Sequence, residues 1–119
     1  MKVKVARRSE TVRPRGKPTS AEKAQIVGNA YCLLHYATGY AAGTPRRLSL
    51  PGQQCWIMPV VLTSPGFGIV GEVGFLAVEA RSGKVIGSTS RSEVVAAGNR
   101  LAEEKRDDLE AAFHRAGAT

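Results

Sequence analysis

The sequence predicts an α+β fold in two layers, with an N-terminal helix, a three- or four-stranded antiparallel meander and a C-terminal helix. Three observations carry this. Apolar residues recur at helical spacing near both ends, at Ile26, Ala30, Leu33, Leu34 and Ala37 and again at Val94, Ala97 and Leu101. Between them lie two apolar runs rich in Val, Ile and aromatic residues, bounded by Gly and Pro, which read as strands. With 119 residues, 43% of them hydrophobic, the chain is long enough for one core and short for two.

The first helix begins near Ser20. Thr19 and Glu22 form a T-x-x-E capping box, with Pro18 just before it. The face Ile26, Ala30, Leu33, Leu34 and Ala37 is expected against the sheet. Gly28 weakens the helix or permits close packing, and Gly39 is a natural stop.

Residues 39–53 are a connection that carries a short strand over 47–50 if that segment pairs. A strand follows over 54–63. Its Pro59 donates no hydrogen bond, so the strand is an edge or is bulged there. Ser64-Pro65-Gly66-Phe67-Gly68 is a connection by its turn chemistry.

The next strand covers 69–81, and Gly71 and Gly74 predict a bulge or bend in its first half. Ser82-Gly83 reads as a two-residue turn, with 84–88 returning as the third strand. Ser90 and Glu93 form a second capping box and start the last helix. Its apolar stripe is Val94, Ala97, Leu101, Leu109, Ala112 and Phe113, and Asp107 with Glu110 leaves open a break near Arg106.

Charge divides the chain into a tail over 1–18 and an α+β domain over 19–119. Lys2, Lys4, Arg7, Arg8, Arg13, Arg15 and Lys17 stand against Glu10 alone, a net +6 of the chain's +7. The tail reads as flexible, with Pro14 and Pro18 breaking any helix. Phosphate contacts with a nucleic acid are one use of such a tail. Keeping the protein soluble and binding an acidic partner are others. No apolar h-region follows the basic residues and no apolar run reaches the ~18 residues of a membrane span, so the expected setting is cytoplasmic, with no membrane contact.

The residues that carry chemistry do not form a known constellation. Cys32-x-x-His35 lies on one helix face, but its spacing to Cys55 and His114 fits no short zinc pattern, so no metal or cofactor is expected. No local signature joins a Ser or Cys nucleophile to a His, and Glu103-Glu104 and Asp107-Asp108 read as solvated helix charge. Gly66-x-Gly68 and Gly71-x-x-Gly74 precede and enter a strand and do not open a helix, so they are not a phosphate loop. An enzyme site, if one exists, would surround His35 or His114.

The segment from Trp56-Ile57-Met58-Pro59-Val60-Val61 through Ala77-Val78-Glu79-Ala80-Arg81-Ser82-Gly83-Lys84-Val85 resembles the V-D-A-x-T-G-x-V hairpin of PepSY-like domains. Its element order over 20–89 is similar to that of the cystatin-like immunity proteins found beside bacterial polymorphic toxins. Glu79 and Ser82 stand where the PepSY pattern favours Asp and Thr, and the long closing helix and basic tail are departures. The resemblance implies a non-catalytic module that binds or inhibits a protein partner.

The residues expected to serve such binding are Phe67, at the tip of loop 64–68, and Tyr36 and Tyr40, which lie off the Ile26–Leu34 face. The sheet edge is a further contact. Core packing is the competing reading for each aromatic residue. A homodimer is compatible with every reading.

Overall fold

The computed structural model describes residues 19–117. The order is α1 (Ala21–His35), β1 (Tyr40–Ala42), β2 (Arg46–Leu50), β3 (Gln53–Ser64), β4 (Gly68–Glu79), β5 (Val85–Ser88), α2 (Arg91–Glu104) and α3 (Arg106–Gly117). The α+β class is as the sequence predicts. The sheet has five strands, because 46–50 pairs and because β1, which the sequence did not reveal, adds a fifth.

The N-cap of α1 is Ser20 and not Thr19. The Ser20 hydroxyl accepts the Lys23 N–H at 3.2 Å. Thr19 is bound to the sheet instead. Its N–H donates to the Ala80 carbonyl at 2.6 Å, and its own carbonyl accepts the Trp56 Nε1–H at 2.8 Å.

β3 is the central strand. β4 pairs along its length on one side, and β1 and β2 share its other side. Tyr40 pairs with Leu62 and Ala42 with Val60, whereas Arg46 pairs with Ile57 and Leu50 with Gln53. Pro59 falls in the gap between these two short strands, where its carbonyl accepts the Gly43 N–H at 2.7 Å. Pro59 therefore does not make β3 an edge. Its missing N–H interrupts the neighbouring ladder.

β4 carries two irregularities against β3, at Val60/Val61 and at Leu62/Thr63. Val73 and Val70 are the unpaired extra residues, each beside one of the expected glycines, Gly74 and Gly71. The β4–β5 connection is wider than a two-residue turn. Glu79 N–H donates to Lys84 carbonyl at 2.8 Å, leaving residues 80–83 between them, and Gly83 takes a φ of 73°. That left-handed conformation is why glycine stands there.

α1 and α2 pack on one face of the sheet. That core holds Met58, Val60, Leu76, Val78 and Val94, all at 0% exposure. α1 contributes Ala24, Gly28 and Cys32, a strip of small side chains one turn apart. A Cβ at Gly28 would lie 2.7 Å from Met58 Sδ and 2.8 Å from Ala42 Cβ, so only glycine allows this approach. α2 uses the sheet's own glycines in the same way. Leu101 lies over Gly71, and Val94 and Thr89 lie against Gly74.

The expected core face of α1 is wrong. Ile26, Leu33 and Leu34 are 64%, 61% and 82% exposed. Residues 24-28-32 and 26-30-34 share one period, so spacing alone cannot rank the two faces. The short distance to the sheet selects the face with the smaller side chains.

The C-terminal helix is two helices, broken at Lys105. The Ser90 cap holds, with its hydroxyl accepting the Glu93 N–H at 3.3 Å. Of the expected stripe, Val94 and Ala112 are buried, whereas Phe113 is 57% exposed.

Candidate interaction surfaces

The three tyrosines of α1 and its exit form a row. Tyr31 and Tyr36 rings meet at 5.8 Å, and Tyr36 and Tyr40 at 6.2 Å, both edge to face. Tyr31 hydroxyl bonds to Ser88 Oγ at 2.9 Å, and Tyr36 hydroxyl donates to the Thr89 carbonyl at 2.6 Å. Burial pushes the Tyr36 phenol above its ordinary pKa. Tyr36 is only 3% exposed. Tyr40 is half-buried, and a Cβ at Gly98 would lie 2.5 Å from its hydroxyl. These residues join α1 to β5 and α2. Tyr36 belongs to the core, and Tyr31 and Tyr40 pack against it half-buried.

Phe67 is also drawn inward. Its ring is half-buried and lies under Lys105, whose Nζ is 5.9 Å from the ring centroid. The loop is held by α3, for a Cβ at Gly66 would lie 2.4 Å from the Ala112 carbonyl oxygen. Loop 64–68 is thus a docking point for α3.

The β1 edge is closed by α1. Ala42 N–H donates to Asn29 Oδ1 at 2.8 Å, and Gln25 Nε2 donates to the carbonyls of Ala42 and Gly43, both at 3.1 Å. Those groups would otherwise be an open template for another strand.

Among the described residues, no hydrogen bond or ring contact joins a cysteine to a histidine. Cys32 lies in the helix-side core, where burial pushes its thiol up to about 11. Cys55 is buried on the opposite face of the sheet, since it pairs with Glu79 one residue out of phase with Trp56. His35 stacks on Tyr31 at 4.0 Å, and His114 is on α3. Among the described residues, no three His, Cys, Asp or Glu side chains are grouped to hold a metal.

An open cavity of about 520 Å³ lies at the hairpin end of the sheet, between Arg47, Gln53, Glu79 and Arg81. No histidine lines it. Glu79 accepts from Ser82 Oγ at 2.6 Å and from Gln53 Nε2 at 3.0 Å. These bonds hold its carboxyl below the usual carboxylate range. Arg47 stacks over Trp56 at 5.3 Å and bonds to Gln54.

Two apolar surfaces are left without a partner among the described residues. One is the outer pole of α1, with Ile26, Leu33 and Leu34 flanking the exposed Ala30. The other is the face of the sheet away from the core. On β3 this face reads Cys55, Ile57, Pro59 and Val61. Across from them on β4 are Ala77, Phe75 and Glu72, and on β2 Leu48 and Arg46. Cys55, Val61 and Ala77 are buried, while Phe75, Leu48 and Ile69 are 49%, 41% and 63% exposed.

Comparison with protein-family models, curated proteins and solved structures finds no match. No helix among the described residues is long and apolar enough to cross a membrane. The basic residues Lys2, Lys4, Arg7, Arg8, Arg13, Arg15 and Lys17 lie outside the described residues.

Proposed function

We propose that this chain is a non-catalytic protein-binding module whose contact is the outer pole of α1. One observation carries the reading. The side of α1 that faces away from the core bears Ile26, Leu33 and Leu34 at 61–82% exposure, where a solvated helix carries charge. Three large aliphatic side chains around a small Ala30 form a ridge that fits an apolar groove or a second amphipathic helix. The helix-then-meander order that resembles cystatin-like immunity proteins supports a partner of the toxin or adaptor class.

The test is a pull-down of the tagged full chain from host lysate, with and without nuclease, beside a Leu33→Asp/Leu34→Asp variant. The expected result is one protein in stoichiometric amount, indifferent to nuclease and lost with the variant. A partner retained by the variant overturns the α1 contact, and recovery of nothing overturns the binding module.

A second reading follows from the net +6 of residues 1–18, which favours nucleic-acid phosphates. It predicts binding that weakens steeply with salt and disappears on deletion of those residues. Unchanged binding by the truncated chain rejects it.

A further inference from the structure

We propose that the helix-free face of the sheet is the contact between two copies of this chain. The argument starts from strand composition. An antiparallel sheet with one wet face alternates apolar and polar residues, whereas strands covered on both faces read as continuous apolar runs. β3 runs Cys55-Trp56-Ile57-Met58-Pro59-Val60-Val61-Leu62 with no polar residue. β4 runs Phe75-Leu76-Ala77-Val78. These are strands suited to cover on both faces, and α1 and α2 supply cover to one.

The area suits a weak, reversible contact with a second copy. From Cys55 to Thr63 the face is about 27 Å long, and three strand spacings make it about 14 Å wide, with β5 reaching only the part opposite Leu76–Val78. That is on the order of 400 Å² on each copy and about 800 Å² in all, the range of transient interfaces. The eighteen residues before Thr19 are a poor alternative cover, with a net +6 and only Met1, Val3, Val5, Ala6 and Val12 as apolar side chains.

The charges on the face are self-complementary. Arg46 projects from β2 opposite Ile57, and Glu72 from β4 opposite Val61. They lie on a diagonal centred near Pro59, and neither has an ion-pair partner among the described residues. A two-fold axis in the interface, perpendicular to that diagonal, sets each Arg46 against Glu72 of the other copy. It also lays Phe75 over the Ile57–Pro59 row. From the strand spacing and rise, the two sheets then cross at roughly 70°, near the orthogonal class of sheet packing. Glu79 falls toward the rim and keeps its bonds to Gln53 and Ser82.

This inference is independent of the α1 contact, and one experiment separates them. Sedimentation of the full chain across the micromolar range is expected to give a dimer. Phe75→Glu is expected to give a folded monomer by circular dichroism, and Leu34→Glu to leave the dimer intact. Arg46→Glu is expected to weaken the dimer about tenfold, and the exchanged pair Arg46→Glu/Glu72→Arg to restore it. The exchanged pair decides the matter if Phe75→Glu does not fold. A monomeric wild type, a dimer lost with Leu34→Glu, or an exchange that fails to rescue would each overturn the proposal.

Discussion

Asn29 on α1 closes the edge of the sheet by accepting the Ala42 N–H at 2.8 Å. One side chain thereby satisfies a strand-edge donor, and Gln25, one turn earlier, satisfies the neighbouring carbonyls. The helix is tied to β1 by hydrogen bonds on its flank as well as by packing beneath it. Asn29→Ala leaves the Ala42 donor without its partner at a crowded site and is expected to cost about 1–2 kcal/mol in urea unfolding. Asn29→Asp keeps an acceptor and is expected to cost less. Equal losses from the two variants would show that the amide's other contacts matter more than the acceptor.

Gly28 tests the closeness of α1 to the sheet. Alanine is favoured over glycine in a helix by about 1 kcal/mol. Against this, the added methyl meets Met58 Sδ and Ala42 Cβ at 2.7 and 2.8 Å. Overpacking of a tight core costs typically about 1–3 kcal/mol, so Gly28→Ala is expected to be net destabilising. Thermal melting decides the sign. A raised melting temperature would mean that α1 has room to move outward.

Gly66 tests how α3 is held. It has a φ of 76°, and its Cβ position lies 2.4 Å from the Ala112 backbone oxygen. Backbone cannot rotate aside as a side chain can, so Gly66→Ala is expected to release α3 while leaving the sheet intact. The check is faster amide exchange or earlier proteolysis confined to residues 106–117. Global destabilisation instead would show that α3 is part of the main cooperative unit.

Glu79 makes stability depend on acid. Hydrogen bonds from Ser82 and Gln53 hold its carboxyl below the usual range in the folded chain. Its contribution is therefore present above the ordinary carboxylate pKa and is lost as the pH falls through the folded value. Glu79→Gln removes that proton linkage. The slope of melting temperature against pH through the carboxylate range is expected to be shallower in the variant, and an unchanged slope would rule the linkage out.

Much of the fold was legible because it is local. The Ser90–Glu93 cap, the strand glycines Gly71 and Gly74 and the β4–β5 hairpin each depend on residues close in sequence. β1 was not legible, since Tyr-Ala-Ala carries no strand signal and is held by pairing with residues 60–62 and by Gln25 and Asn29. The packing of Phe67 and Tyr36 was not legible either, because an aromatic side chain near a turn or helix end has no local partner to reveal it. Their partners, Lys105 and Thr89, lie far along the chain.

By itself, the sequence determined the α+β class, the order of the first helix, the long strands with their hairpin and the closing helical segment, and the segregation of charge into residues 1–18, all of which depend on composition and short spacing. Only the tertiary structure decided which side of α1 meets the sheet. Two stripes on one helix share a period, and the choice between them rests on how closely the backbones approach at Gly28. The large aliphatic stripe is left outside because the small one fits nearer to Met58 and Ala42.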